Sequence, residues 1–171
     1  MVKGARLAVL GVALLGAAPA TGSLTGTLAA PGVVWISDGS NPAPSTHIEI
    51  TQHDRTFIPA LTVVTAGSDV TFRNDDDVDH SVYSVSPADP FDLGIYEPGP
   101  GKDVRFAVPG VIEIRCHIHR HMHATLLVVD GPVVQLDAAG AWTLRGVRPG
   151  HHILHLWTAD DGERTSAVDV R

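Results

Sequence analysis

Beyond residue 20 the chain contains no convincing helix. Short runs rich in Val, Ile, Thr and Phe alternate with turns built from Gly, Pro and Asp, and residues of those two kinds in alternation are the mark of strands and the breaks between them. Strands are predicted at 33–37 (VVWIS), 46–52 (THIEITQ), 60–65 (ALTVVT), 69–74 (DVTFRN), 81–85 (SVYSV), 103–108 (DVRFAV), 111–116 (VIEIRC) and 124–129 (ATLLVV), with a tail of further strands at 133–137, 141–145 and 152–158. Strands this dense predict an all-β sandwich. Several runs alternate cleanly: Ile48 and Ile50, Val70 and Phe72, Val104 and Phe106, then Ile112, Ile114 and Cys116. Side chains two apart on a strand share a face, so these residues are expected to point inward. The turn-rich stretch 37–45 (SDGSNPAPS) reads as a linker and Gly131-Pro132 as a second break; no internal repeat is present.

The first twenty residues are of another kind. Lys3 and Arg6 precede an uncharged, largely apolar run over 7–18, and Ala18-Pro19-Ala20 follows. A run of twelve is too short to cross a bilayer, which takes about 20 residues. With small residues at the end it reads as an export signal cut after Ala20. Cleavage takes the chain from 171 residues to 151, room for one ordinary domain, or for a domain of about 100 residues and a small lobe. It also removes two positive charges, taking the net charge from −7 to −9. Such a balance argues against nucleic acid and anionic lipid as partners, and favours a partner protein that presents a basic patch. No membrane span is expected after cleavage, and the expected location is periplasmic or secreted.

Cys116 is the only cysteine, so no internal disulfide can form. Outside the cytoplasm a lone thiol is expected to be buried, cross-linked between chains or bound to metal. Met122, six residues on, is the only methionine of the mature chain. Between them lies CHIHRHMH, which contains Cys116-x-x-His119-x-x-Met122. A thiolate, an imidazole and a thioether thus come from one short loop. His80, between the strands 69–74 and 81–85, is the candidate for a fourth group. Two imidazoles, one thiolate and a weak thioether form the ligand set of electron-transferring blue-copper sites.

The Cys-x2-His-x2-Met spacing resembles the amicyanin-type, short-loop cupredoxins, and AGSDVTFRNDDDVDHSVYS is similar to their segment around the first histidine. A longer resemblance, through VRFAVPGVIEIRCHIHRHM and VVDGPVVQLDAAGAWTLRGVRPGHHILHLW, is to the bacterial plastocyanin-like group labelled "methylamine utilization protein"; the label does not establish a role in amine metabolism. The resemblance implies a Greek-key cupredoxin β-sandwich over 46–130 and one copper ion, Cu(I)/Cu(II), held by His80, Cys116, His119 and Met122. This chain departs from the group in carrying His117, Arg120 and His121 where Asn and an Asp-Trp pair are usual. It also has Ser81 where an Asn commonly ties the two ligand loops together by hydrogen bonds. The tail pattern D-x-x-G-x-W-x-L-x-x-V-x-P-G-x-H-x-L resembles the second half of a carboxypeptidase regulatory-like β-sandwich. Residues 24–37 resemble a shortened first half. The cupredoxin is then expected to be inserted in, or followed by, this accessory lobe of 24–37 and 131–171.

A second arrangement of the histidines is open from the residues alone. On a flat strand His117, His119, His121 and His123 would share one face, opposite Cys116, and could bind Zn²⁺ or face water. In the loop arrangement His117, His121 and His123 are surface residues that could take a second, weaker metal. Asp75-x-Asp77-x-Asp79 has a calcium-like spacing, but His80 and Ser86 stand where an EF-hand loop needs Gly and Glu. This loop is expected to be a solvated acidic edge. His47, His53, His151, His152 and His155 show no ligand pattern, and the common hydrolase and nucleotide motifs are absent. Two functions follow as expectations. One is a non-enzymatic one-electron carrier with a redox partner protein. The other is a periplasmic copper-binding or delivery protein, or a structural β module.

Overall fold

The structure, a computed structural model, describes residues 21–28, 32–38, 47–136 and 138–171. The expected export signal, and most of the expected 37–45 linker, lie outside the described residues. Those described form strands and no helix. In chain order the strands are β1 (Gly22–Leu28), β2 (Gly32–Ser37), β3 (His47–His53), β4 (Thr56–Ile58), β5 (Leu61–Thr65), β6 (Ser68–Asn74), β7 (His80–Ser84) and β8 (Phe91–Tyr96). They continue with β9 (Gly99–Phe106), β10 (Gly110–Arg115), β11 (His123–Val129), β12 (Val133–Leu136), β13 (Gly140–Val147), β14 (Gly150–Thr158) and β15 (Gly162–Val170). The chain divides into two compact units, one of residues 43–129 and one of the segments on either side.

In the 43–129 unit two sheets form, ordered β4-β3-β6-β9 and β5-β11-β10-β7-β8. Strands β3 and β6 pair in parallel, as do β5 and β11; the other pairs are antiparallel. The alternation in the sequence explains the core. Ile50, Val70, Phe72, Phe106, Ile112 and Ile114 are all fully buried and pack with Phe57, Val82 and Leu126 in one cluster. Cys116 and Met122 belong to that same cluster, so two of the candidate ligands are continuous with the apolar core. Parallel pairing of β3 with β6, with Gln52 opposite Asn74, brings the loops that follow these two strands out at one end of the sheet.

In the other unit a four-stranded sheet runs β12-β2-β14-β15, and β1 pairs with β13. Val34 lies opposite Leu156 and Ile36 opposite Leu154. Val34, Ile36, Leu144 and Leu154 share a core with Trp142 and Val147. The leading segment therefore packs with the tail strands.

Candidate metal centre

Strand β6 ends at Asn74, where three consecutive aspartates leave the sheet. The buried Asn74 side chain shapes the turn: its Nδ2 donates to the Val78 carbonyl (2.9 Å), and its Oδ1 accepts from the Asp76 amide (3.1 Å). The chain re-enters the sheet at His80, which is fully buried. On the other side, β10 and β11 form a hairpin closed by Arg115 opposite His123. Within its loop the Met122 amide donates to the His119 carbonyl (2.9 Å).

These two loops bring three of the expected ligands together. The ligand atoms of His80, Cys116 and His119 all lie within 4.8 Å of one another, and the Nδ1 atoms of His80 and His119 face each other at 3.1 Å. Met122 is buried (2%) in the cluster that holds Cys116. Ser81, though shorter than the usual Asn, still ties the loops. Its hydroxyl donates to Cys116 Sγ (3.6 Å) and accepts from the His117 amide (2.8 Å), and its own amide donates to the same sulfur (3.5 Å). Burial pushes the Cys116 thiol up, but the amides of His119, Ser81 and Ile118 and the Ser81 hydroxyl outweigh it and hold the thiol below its ordinary range. Burial is also the largest effect on His119. With the electrostatic influence of His80, Arg55 and His121 it holds this ring below the usual imidazole range, against the opposing influence of Asp76. Both shifts favour the ligating form, a thiolate and a neutral imidazole.

The four histidines do not share a strand face, because no strand runs through 116–122. His117 instead lies flat on Tyr83, ring centroids 3.8 Å apart and planes within 2°, with Nε2 3.1 Å from Asp92 Oδ2. His121 and His123 are exposed. His47, His152 and His155 are occupied by Thr71, the Arg148 carbonyl and Glu163, and His53 and His151 by Asp54 and Asp169.

Asp75, Asp77 and Asp79 are exposed, as expected of a solvated acidic edge, and Asp76 is the exception. Asp75 pairs with Arg73 at the surface (2.5 Å), but the Asp76 side chain is only 8% exposed and meets His80 Nε2 at 2.6 Å. Burial raises the Asp76 carboxyl, while the Arg55 amide, His80 and the Asp54 amide together bring it below the usual carboxylate range. Sequence reading missed this residue. Its one local signal is a position four before His80, and its burial is decided by a turn more than twenty residues upstream.

No protein-family profile matches the chain, and no curated protein matches it significantly. Solved structures do. The copper-containing nitrite reductase (NirK) from Thermus scotoductus SA-01 is 24% identical over 51% of this chain, with a TM-score of 0.44, and the match covers 22% of that enzyme. A purple cupredoxin from Nitrosopumilus maritimus is 20% identical over 47% of this chain and 98% of its own, with a TM-score of 0.43. Amicyanin from Paracoccus versutus is 15% identical over 56% and 96%, with a TM-score of 0.45. These structural neighbours are cupredoxins. The likeness concerns fold; the chemistry of this centre rests on its own atoms.

The donor set itself tests the fit to copper. A thiolate with two neutral imidazoles and a buried thioether nearby is a soft, nitrogen-and-sulfur set, suited to copper and unlike the oxygen cages that hold calcium or magnesium. The apposed Nδ1 atoms give the same indication. Two ring nitrogens in such contact can share only one proton between them, so at least one turns a lone pair inward.

Proposed function

We propose that residues 46–130 are a cupredoxin domain that holds one copper ion through His80, Cys116, His119 and Met122, and that the chain is an exported one-electron carrier rather than an enzyme. The observation that carries this reading is the convergence of His80, Cys116 and His119 ligand atoms within 4.8 Å around a buried thiol that favours its thiolate form. When bound, copper supplies a one-electron couple between Cu(I) and Cu(II). The protein's own residues hold the donors in place. His80 is clamped by Asp76, the sulfur is fixed by two donors from Ser81, and the β10–β11 hairpin fixes both ends of the loop. A preset geometry limits the movement that accompanies each electron. In this reading 24–37 and 131–171 form the accessory lobe, and the redox partner is a protein with a basic patch.

The test is copper loading followed by visible spectroscopy and voltammetry. Intense sulfur-to-copper absorption with reversible one-electron cycling supports the carrier. Copper bound without that absorption points to storage or delivery, a reading favoured by the exposed His117, His121 and His123.

Met122→Leu should retain copper and raise the reduction potential. Loss of a weak axial thioether favours Cu(I), and each tenfold preference gained by the reduced state appears as about 59 mV. Loss of all copper affinity in this variant would show that Met122 is not a weak axial ligand.

A further inference from the structure

We propose that Asp76 is a positioning residue that sets the tautomer of His80, and that the β3–β4 hairpin turn anchors it; the consequence for copper rests on the function proposed above. Asp76 Oδ2 lies 2.6 Å from His80 Nε2 and accepts the Arg55 amide at 2.9 Å, while Oδ1 accepts the Asp54 amide at 2.6 Å. The carboxylate is thus held on both oxygens, and it can only accept. His80 Nε2 is therefore the nitrogen that donates, and in the neutral ring the lone pair then lies on Nδ1, the atom that faces His119. A carboxylate behind a ligating imidazole fixes both ring orientation and tautomer.

The anchor has a backbone cost that marks it as a device. His53 pairs with Thr56 across a two-residue turn, in which Asp54 and Arg55 have φ of 50° and 54°. Turns of this kind are usually filled by Asn-Gly because side chains disfavour that region. Neither residue here is glycine. In return, the two successive amides turn toward one point, a concavity suited to an anion. The parallel β3–β6 pairing delivers that anion: Gln52 lies opposite Asn74, and the Asp75 amide donates to the Gln52 carbonyl (2.9 Å). The turn after β3 and the loop after β6 are therefore locked side by side. His119 has no comparable carboxylate partner among the described residues, so the two histidines are held unequally.

The first measurement uses the metal-free full chain. Nitrogen-15 NMR of the imidazoles should show His80 as the Nε2–H tautomer, with that proton protected from exchange. In Asp76→Asn the protected proton should disappear and the tautomer should become mixed. The second measurement is Cu(II) affinity, expected to fall 10- to 100-fold in Asp76→Asn, the range for loss of such a partner. Asp75→Asn, which removes the same charge one residue away from a carboxylate paired with Arg73, should leave affinity and tautomer unchanged. Arg55→Gly keeps the amide and suits the positive φ, so it should also preserve the tautomer. An Nδ1–H tautomer in the wild type would overturn the proposal, as would equal losses in Asp75→Asn and Asp76→Asn. Should Asp76→Asn fail to fold, the wild-type tautomer and Arg55→Gly still decide. The NMR arm contains no metal, so failure of the copper reading leaves a tautomer result that stands by itself.

Discussion

Replacing Cys116 by Ser is expected to abolish the intense visible absorption of the copper-loaded protein and its one-electron cycle, while the fold survives. The absorption requires a sulfur-to-copper charge transfer, and no other sulfur of the 116–122 loop is a thiolate. Met122 is a thioether and absorbs weakly. The fold survives because Ile50, Val70, Phe72, Phe106, Ile112, Ile114 and Leu126, all fully buried, are untouched. Ser is smaller, and its hydroxyl sits where Ser81 already supplies two donors. The cost of the exchange is then a buried polar group that keeps a partner, about 1–3 kcal/mol at most. Far-ultraviolet circular dichroism should match the wild type, and chemical denaturation should show a modest shift. An intense band retained in Cys116→Ser would remove the assignment of this residue.

The second large effect is on the pH dependence of the potential. His119 is half-buried on a short loop, and unlike His80 it is not clamped. With copper bound as proposed, three ligands would suffice for the reduced state, so the His119 ring would be free to turn toward water and take a proton, whereas in the oxidised state it would stay bound. A proton that binds only the reduced state stabilises that state, so the potential should rise as pH falls, with a limiting slope of about 59 mV per pH unit. The onset follows from the surroundings of the ring. Burial, His80, Arg55 and His121 hold its pKa below the ordinary imidazole value of about 6.5, so the potential should be level at neutral pH and begin to rise only below that value. The same depression bears on the metal-free fold. An unfolded chain takes this proton first, so the stability linked to His119 is complete above about pH 6.5 and is lost as pH falls toward the lower, folded value. Arg55 opposes the proton, while Asp76 favours it. Arg55→Gly should move the onset upward. A flat potential from neutral into the mildly acidic range would mean that His119 stays bound in both states.

Central strands were the legible part of this fold. In β6 and β10 one face meets the core, and Val70, Phe72, Ile112 and Ile114 alternate accordingly. Strands β8 and β15 escaped the sequence reading. Each lies at the edge of its sheet, and most of its side chains are exposed or only half-buried. An edge strand with so little buried surface need not carry a run of apolar residues, and GERTSAVDV has few. The centre divides in the same way. Cys116, His119 and Met122 are legible because their chemistry and spacing sit in one loop. Asp76 was not, since its only local distinction from Asp75 and Asp77 is the four-residue spacing to His80. Its burial depends on amides that the β3–β4 turn offers from elsewhere in the chain. Ser81 stands out in the sequence as the residue in the place of the usual Asn, but its reach to Cys116 and His117 depends on the distance between two loops, which a sequence does not display.

The parallel pairing of β3 with β6 has a kinetic consequence. Parallel neighbours cannot be joined by a tight hairpin, and here the intervening chain makes β4 and β5 before it returns. The groups around the centre are drawn from the turn at Asp54-Arg55, the loop at Asn74–Ser81 and the hairpin at Cys116–Met122. Contacts so distant along the chain carry a loop-closure cost that must be met before they form. The apolar core between the two sheets, and not the ion, supplies the drive for that closure. In the proposed function, copper would therefore meet a folded receptor with its imidazoles already oriented. This is the reverse of a small zinc module, in which metal binding and folding are one event. Refolding rates should accordingly be the same with and without copper, the metal acting afterwards by slowing the return.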